Sequence, residues 1–75
     1  MTRNEFLDLL KKHNINENLV VFDDTIKDGY YVRKNYFRWE VLFREMGKEY
    51  ECVGFPSESN ALQYLYEKLY NTYVK

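Results

Sequence analysis

The side chains able to carry catalysis or hold a metal are few and scattered. His13 is the only histidine, so neither a histidine-based triad nor a multi-histidine metal site can be assembled. Its place at the end of a helical pattern suits a boundary between core and solvent. Cys52 is the only cysteine. It has no second thiol with which to share a metal or a disulfide, and a strand position predicts packing rather than a reactive thiolate. Asp23, Asp24 and Asp28 could gather round a cation, but they lack the ligand spacing and terminal glutamate of a calcium loop, so a solvated turn is expected. Gly29, Gly47 and Gly54 are too far apart to cradle a phosphate. The expectation is a chain that is not an enzyme and takes no cofactor or metal.

The elements that position the remaining surface are legible from residue 36 onward. In Tyr36 to Glu45, Phe37, Trp39, Val41 and Phe43 alternate with Arg38, Glu40, Leu42 and Arg44. An extended chain therefore presents an apolar face and a mostly charged one, the pattern of an antiparallel sheet covered on one side. Met46-Gly47-Lys48 supplies a tight turn, and Glu49 to Phe55 returns. Which of its two alternating sets faces inward is open, because a slip of one residue at the turn exchanges the faces. Pro56 and Ser57 lead into a helix. Ser57 is the cap, Glu58 suits the positive end of the dipole, and Ala61, Leu62, Leu65, Leu69 and Thr72 or Tyr73 form the apolar stripe. Burying the three leucines contributes about 5–8 kcal/mol before entropy is subtracted.

Upstream, Thr2 and Glu5 have the spacing of a capping box. The helix they open carries Phe6, Leu7, Leu9, Leu10 and His13 on a broad apolar side, with Lys11 and Lys12 at the end the dipole favours and Asn14 as a left-handed stop. Ile15 to Asn18 reads as a polar connector. Leu19 to Phe22 is a candidate short strand or a plug for the core. Asp23, Asp24 and Asp28-Gly29 bracket Ile26 with turn formers. Tyr30 to Arg33 is β-prone, with a turn expected around Lys34-Asn35. The fold class that follows is α+β in a single domain over residues 1–75: a helix, a three-stranded antiparallel sheet with a candidate fourth strand, and a C-terminal helix. Both helices lie on one sheet face, making two layers.

Composition narrows the class further. At 75 residues the chain has room for one small core. A hydrophobic content of 45% argues against disorder, and a net charge of −1 gives no overall basic excess for holding nucleic acid. The lone cysteine fits a reducing compartment. No apolar run approaches the roughly 20 residues of a membrane span, and no signal peptide opens the chain. The expected location is cytoplasmic, with no membrane partner.

Surface recognition is the remaining signal. Eight tyrosines in 75 residues exceed what so small a core can hide, and tyrosine offers rigid area with a polar tip. The expected partner-binding surface is the helix-free sheet face with neighbouring tyrosines: Arg33, Arg38, Glu40, Leu42, Arg44, Tyr31 and Tyr64. On that reading Arg38→Ala and Arg44→Ala barely alter stability, while Trp39→Ala opens a cavity costing about 3–5 kcal/mol. The first expectation for a partner is a protein. The alternative is nucleic acid, and a third reading is a homodimer through an edge strand or the tyrosine-rich helix.

The run Trp39-Glu40-Val41, Gly47-Lys48, Phe55-Pro56-Ser57-Glu58-Ser59-Asn60-Ala61 and Tyr64-Leu65 resembles a loose group of small bacterial domains. Several of these resemble immunity proteins of polymorphic toxin systems, and others are orphan proteins of phages and mobile elements. That resemblance implies a non-enzymatic protein that binds and blocks a cognate toxin, and it transfers no binding residues. The order of elements is also similar to the double-stranded RNA-binding domain. That domain holds phosphates with lysines where this chain has Ser57, Glu58, Ser59 and Asn60. The sheet further resembles the arm-type DNA-binding domain of tyrosine integrases. Arg33, Lys34, Arg38 and Arg44 would serve there, diluted by Glu40, Glu45, Glu49 and Glu51.

Overall fold

Capping chemistry sets where each helix begins. The structure, a computed structural model, describes residues 1–22 and 27–74; the predicted turn through Asp23, Asp24 and Ile26 lies largely outside them. Helix α1 spans Arg3–Lys12. The Thr2 hydroxyl accepts from the Glu5 amide at 3.2 Å, and the Glu5 carboxylate accepts from the Thr2 amide at 2.7 Å. This is the expected reciprocal box. Asn14 ends the helix at φ 58°, in the left-handed region that asparagine tolerates. Helix α2 spans Glu58–Tyr73, and the Ser57 hydroxyl accepts from the Asn60 amide.

The sheet has four strands, β1 (Val20–Val21), β2 (Gly29–Asn35), β3 (Arg38–Glu45) and β4 (Lys48–Phe55), in the order β1-β2-β3-β4. It is mixed rather than purely antiparallel, since β1 pairs with β2 in parallel while the other two pairs are antiparallel. The candidate fourth strand is therefore real but two residues long. Its side chains alternate as a strand requires: Val20 enters the helix-covered core and Val21 packs on the opposite face with Tyr31 and Leu42.

The β2–β3 turn falls two residues later than Lys34-Asn35. Asn35 pairs with Arg38, leaving Tyr36 and Phe37 as the loop. A turn at Lys34-Asn35 would have kept the same faces inward, so the hydrophobic pattern does not separate the two registers. The observed one sets Val32 opposite Val41 and Arg33 opposite Glu40. The earlier turn would set Val32 against Phe37 and Tyr31 against Arg38. Val32 meets an apolar partner in both registers, so the opposite-charge pair of Arg33 with Glu40 favours the former. As a result Phe37, expected on the buried face, sits at the loop tip.

The β3–β4 loop is Met46-Gly47, with φ of 52° and 81°, the positive pair typical of a two-residue hairpin turn. Val41 pairs with Val53 but Phe43 pairs with Tyr50, so Glu51 and Cys52 together stand opposite Leu42. This β-bulge, with Glu51 at φ 54°, resolves the face ambiguity of the returning strand. Val53 and Phe55 share the inner face with their partners. Below the bulge the parity reverses, so Tyr50 stands with Phe43 and Glu49 moves to the outer face.

Both helices cover the inner face. Phe6 and Leu10 of α1 and Ala61, Leu62, Leu65 and Leu69 of α2 form one cluster with Val20, Val32 and Val41. Ile15, read as part of a polar connector, is buried in that cluster, where it closes the end of the core below Asn14. The distal part of the predicted stripe is not buried: Thr72 and Tyr73 are exposed. The helices run parallel. The Met1 amine donates to Ser59 Oγ at 2.6 Å and Arg3 pairs with Glu58 at 2.8 Å at one end, while His13 packs on Tyr70 at the other.

Leu65 is fully buried, whereas Trp39 is only half-buried at the sheet's end. The cavity term therefore belongs to the leucine. In denaturant titrations Leu65→Ala is expected to cost about 2–5 kcal/mol, and Trp39→Ala less than that, near 1–3 kcal/mol.

Candidate functional site

The helix-free sheet face brings together most of the predicted surface residues, but as an internally bonded network rather than an open display. Residues 33, 38, 40, 42 and 44 all lie on it, because β2 and β3 pair with Arg33 opposite Glu40. At its centre Glu40 is only 2% exposed. One carboxylate oxygen, Oε1, accepts from Arg33 Nε at 3.2 Å. The other accepts from Asn35 Nδ2 at 3.3 Å and from Arg38 Nε and Nη2 at 3.2 and 2.9 Å.

Gly54 makes room for this arrangement. A β-carbon there would stand 3.0 Å from Arg38 Cδ and 3.1–3.2 Å from the guanidinium nitrogens. Burial pushes the Glu40 carboxyl up, but the hydrogen bonds from Asn35, Arg33 and Arg38 outweigh it and hold the group below its ordinary range.

A second carboxylate extends the network. Glu49, placed on this face by the bulge, accepts from both terminal nitrogens of Arg33 at 3.1 and 3.3 Å and from Arg44 Nη2 at 3.2 Å. The Arg44 guanidinium also lies over the Tyr31 ring, 5.4 Å from its centroid, while its buried Nε has no hydrogen-bond partner. Three guanidiniums thus meet two carboxylates, and little free positive charge is left for a phosphate backbone.

Two members of the predicted surface besides Glu40 are covered. Leu42 is 1% exposed and Tyr31 is buried, because they pack on each other and on Val21. The Tyr31 hydroxyl donates to the Lys27 carbonyl at 2.6 Å and accepts from the Lys27 amide at 3.1 Å. Tyr64 does not join this face. It lies on α2, half-buried, with its ring 5.0 Å from that of Phe55. A helix stacked on the inner face turns that tyrosine toward the core.

Cys52 and Asp28 stand outside this hydrogen-bond network. Cys52 stands exposed on β4, yet partial burial of its thiol and then the Glu40 carboxylate push its pKa above the ordinary value. The thiolate is disfavoured. The Asp28 carboxylate accepts from the Met46 amide at 3.0 Å, which ties two loops together. Among the described residues no group of three or more potential ligands could hold a metal ion, and no helix is long and apolar enough to cross a membrane.

Sequence reasoning missed the most exposed apolar pair among the described residues. Tyr36 is 87% and Phe37 98% exposed, side by side at the β2–β3 tip, and Tyr36 adopts φ 58°. A left-handed backbone costs a residue with a β-carbon about 1–2 kcal/mol. Only the Arg33–Glu40 complementarity would have moved the turn far enough to find this pair. No protein-family model, no curated protein and no solved structure matches the chain.

Because the folded pKa of Glu40 lies below its unfolded value, its contribution to stability is complete above the ordinary 4.5 and is lost as pH falls through the folded value. Glu5, held down by the Thr2 amide and then the Thr2 hydroxyl, acts in the same direction. Acid unfolding followed by circular dichroism should therefore be shallower in Glu40→Gln than in the parent, with the Glu5 part remaining. Arg33→Ala, which strips a donor from both carboxylates, should cost about 1–2 kcal/mol in urea. Arg38→Ala should also cost measurable stability, contrary to the open-face expectation, because it removes two of the three donors to a buried oxygen and leaves only Asn35. Equal stability of both variants and the parent would refute the network's role.

Proposed function

We propose that this chain is a non-enzymatic protein-binding module that engages its partner through the Tyr36-Phe37 hairpin tip, in the manner of an immunity-like protein that neutralises another protein. The observation that carries the reading is the tip itself. Two large aromatic side chains stand clear of the surface on a backbone that is strained for tyrosine. Water-exposed aromatic area of this kind contributes nothing to the fold. Exposed tyrosine and phenylalanine on a short turn are, however, suited to be the anchors of a protein–protein interface when a pocket receives them. Strain retained at an exposed position points the same way.

The charged sheet face plays a supporting part. Its arginines are already engaged by Glu40 and Glu49, so it favours the alternative of a nucleic-acid-binding accessory protein less than a bare arginine row would. Lys34 and Arg38, both exposed, flank the tip and would set the orientation of an acidic rim on the partner.

The tip separates stability from function. Tyr36→Gly removes the strain and should stabilise the fold by about 0.5–1 kcal/mol after the entropy of the unfolded glycine is subtracted. If the tip is the anchor, Tyr36→Gly and Phe37→Ser should each retain the fold yet lose the partner captured by the parent from a nuclease-treated host lysate. Capture unchanged by both variants would refute the tip. Capture that disappears with nuclease and falls steeply with salt would replace the reading with nucleic-acid binding.

A further inference from the structure

The end of the molecule opposite the hairpin tip holds a second cluster of rings. His13, the C-cap of α1, packs edge-on against Tyr70 with centroids 5.1 Å apart and planes at 88°, and it lies 6.2 Å from Tyr66. Tyr66 and Tyr70 are 6.0 Å apart. The three half-buried rings, with Glu67 and Asn71, line a shallow groove of about 440 Å³ between the end of α1 and the last turns of α2.

The electrostatics of this groove are negative from three sources. The first is Glu67, whose carboxylate accepts only from the neutral Gln63 amide at 3.2 Å and has no cationic partner among the described residues. The second is the parallel packing of the helices, which brings their C-terminal ends together; Lys11 and Lys12 lie in the last turn of α1, but α2 has no basic residue in its last described turn to offset its own dipole. The third is the pair of tyrosine rings, Tyr66 and Tyr70, whose faces are the negative side of an aromatic quadrupole. Nearby lysines are directed elsewhere. Lys11 pairs with Glu17 and Lys68 with Glu51, while Lys12 lies beside Glu5 and Asp8 on the neighbouring groove.

We propose that this groove binds a guanidinium group, supplied by an arginine side chain of a partner polypeptide. A planar cation stacks on tyrosine and histidine faces, and its N–H donors match the carboxylate of Glu67 and the side-chain carbonyl of Asn71. An ammonium offers the charge without the planar stacking surface. The groove is open on one side, so it covers one face of a side chain laid across it. It would leave most of a free small molecule in water, whereas sites for free ligands enclose them. The site is independent of the hairpin tip and stands or falls separately.

The test is a proton NMR titration of the full chain at pH 8, following the His13, Tyr66 and Tyr70 ring resonances. The probes are Ac-Gly-Arg-Gly-amide and its lysine and citrulline counterparts. Citrulline keeps the shape of arginine and lacks the charge. Saturable shifts with the arginine peptide, weaker ones with lysine and none with citrulline are expected. Glu67→Gln and Tyr70→Leu, both on the surface side of α2, should each weaken binding roughly three- to tenfold. Equal shifts with citrulline, absence of saturation with arginine, or affinity unchanged in both variants would overturn the site. Free L-arginine binding more tightly than the capped peptide would overturn its assignment to a polypeptide.

Discussion

A carboxylate buried in a sheet is tolerable only if its oxygens are filled, and Glu40 is the group on which the rest of this structure depends. Desolvation penalises its charged form, and three donors from Arg33, Asn35 and Arg38 compensate. Two of those donors come from β2 and one from β3, so the carboxylate acts as a register pin. Sliding β2 along β3 by one pairing step would place Glu40 away from Arg33 and Asn35, and only Arg38 of its own strand would still donate to the buried carboxylate. The register it selects creates the Tyr36-Phe37 tip and sets Val32 against Val41 beneath the helices.

The bulge at Glu51 completes the arrangement. By reversing the parity of β4 below Cys52, it delivers Glu49 to Arg33 and Arg44, and it frees Glu51 to meet Lys68 of α2 at 3.0 Å. The same irregularity bends the free edge of the sheet. With Lys48, Glu49 and Glu51 along it, β4 is a poor template for pairing with another strand. The strand at the sheet's open edge is thus protected by the residues that organise its outer face.

The helices add a constraint of a different kind. Their parallel packing places both N-termini together, where Glu5 and Glu58 offset the combined positive ends, and both C-termini together at the His13 groove. The two ends of the molecule consequently differ in character. One carries exposed aromatics flanked by Lys34 and Arg38, and the other carries aromatic faces beside an unneutralised carboxylate.

Local chemistry by itself determined the helices, their caps, the left-handed stop at Asn14, the Met46-Gly47 turn and the apolar stripe from Ala61 to Leu69. Each of these depends on residues within a few positions of one another. The inward set of β3 was legible for Trp39, Val41 and Phe43, because alternation is a local property. Tertiary structure decided what local pattern leaves degenerate. The β2–β3 register was one such choice, since two registers shared the same parity and only the Arg33–Glu40 charge pair distinguishes them. The inner face of β4 was another, because it needed the bulge. The parallel pairing of Val20–Val21 and the burial of Ile15 depended on chain closure. The residues predicted to face a partner changed most: Leu42 and Tyr31 were readable as outer-face residues, but only the packing of Val21 against them shows that they are covered. Exposure is a property of neighbours distant in sequence, so the aromatic tip and the ring-lined groove became visible only once the chain was folded.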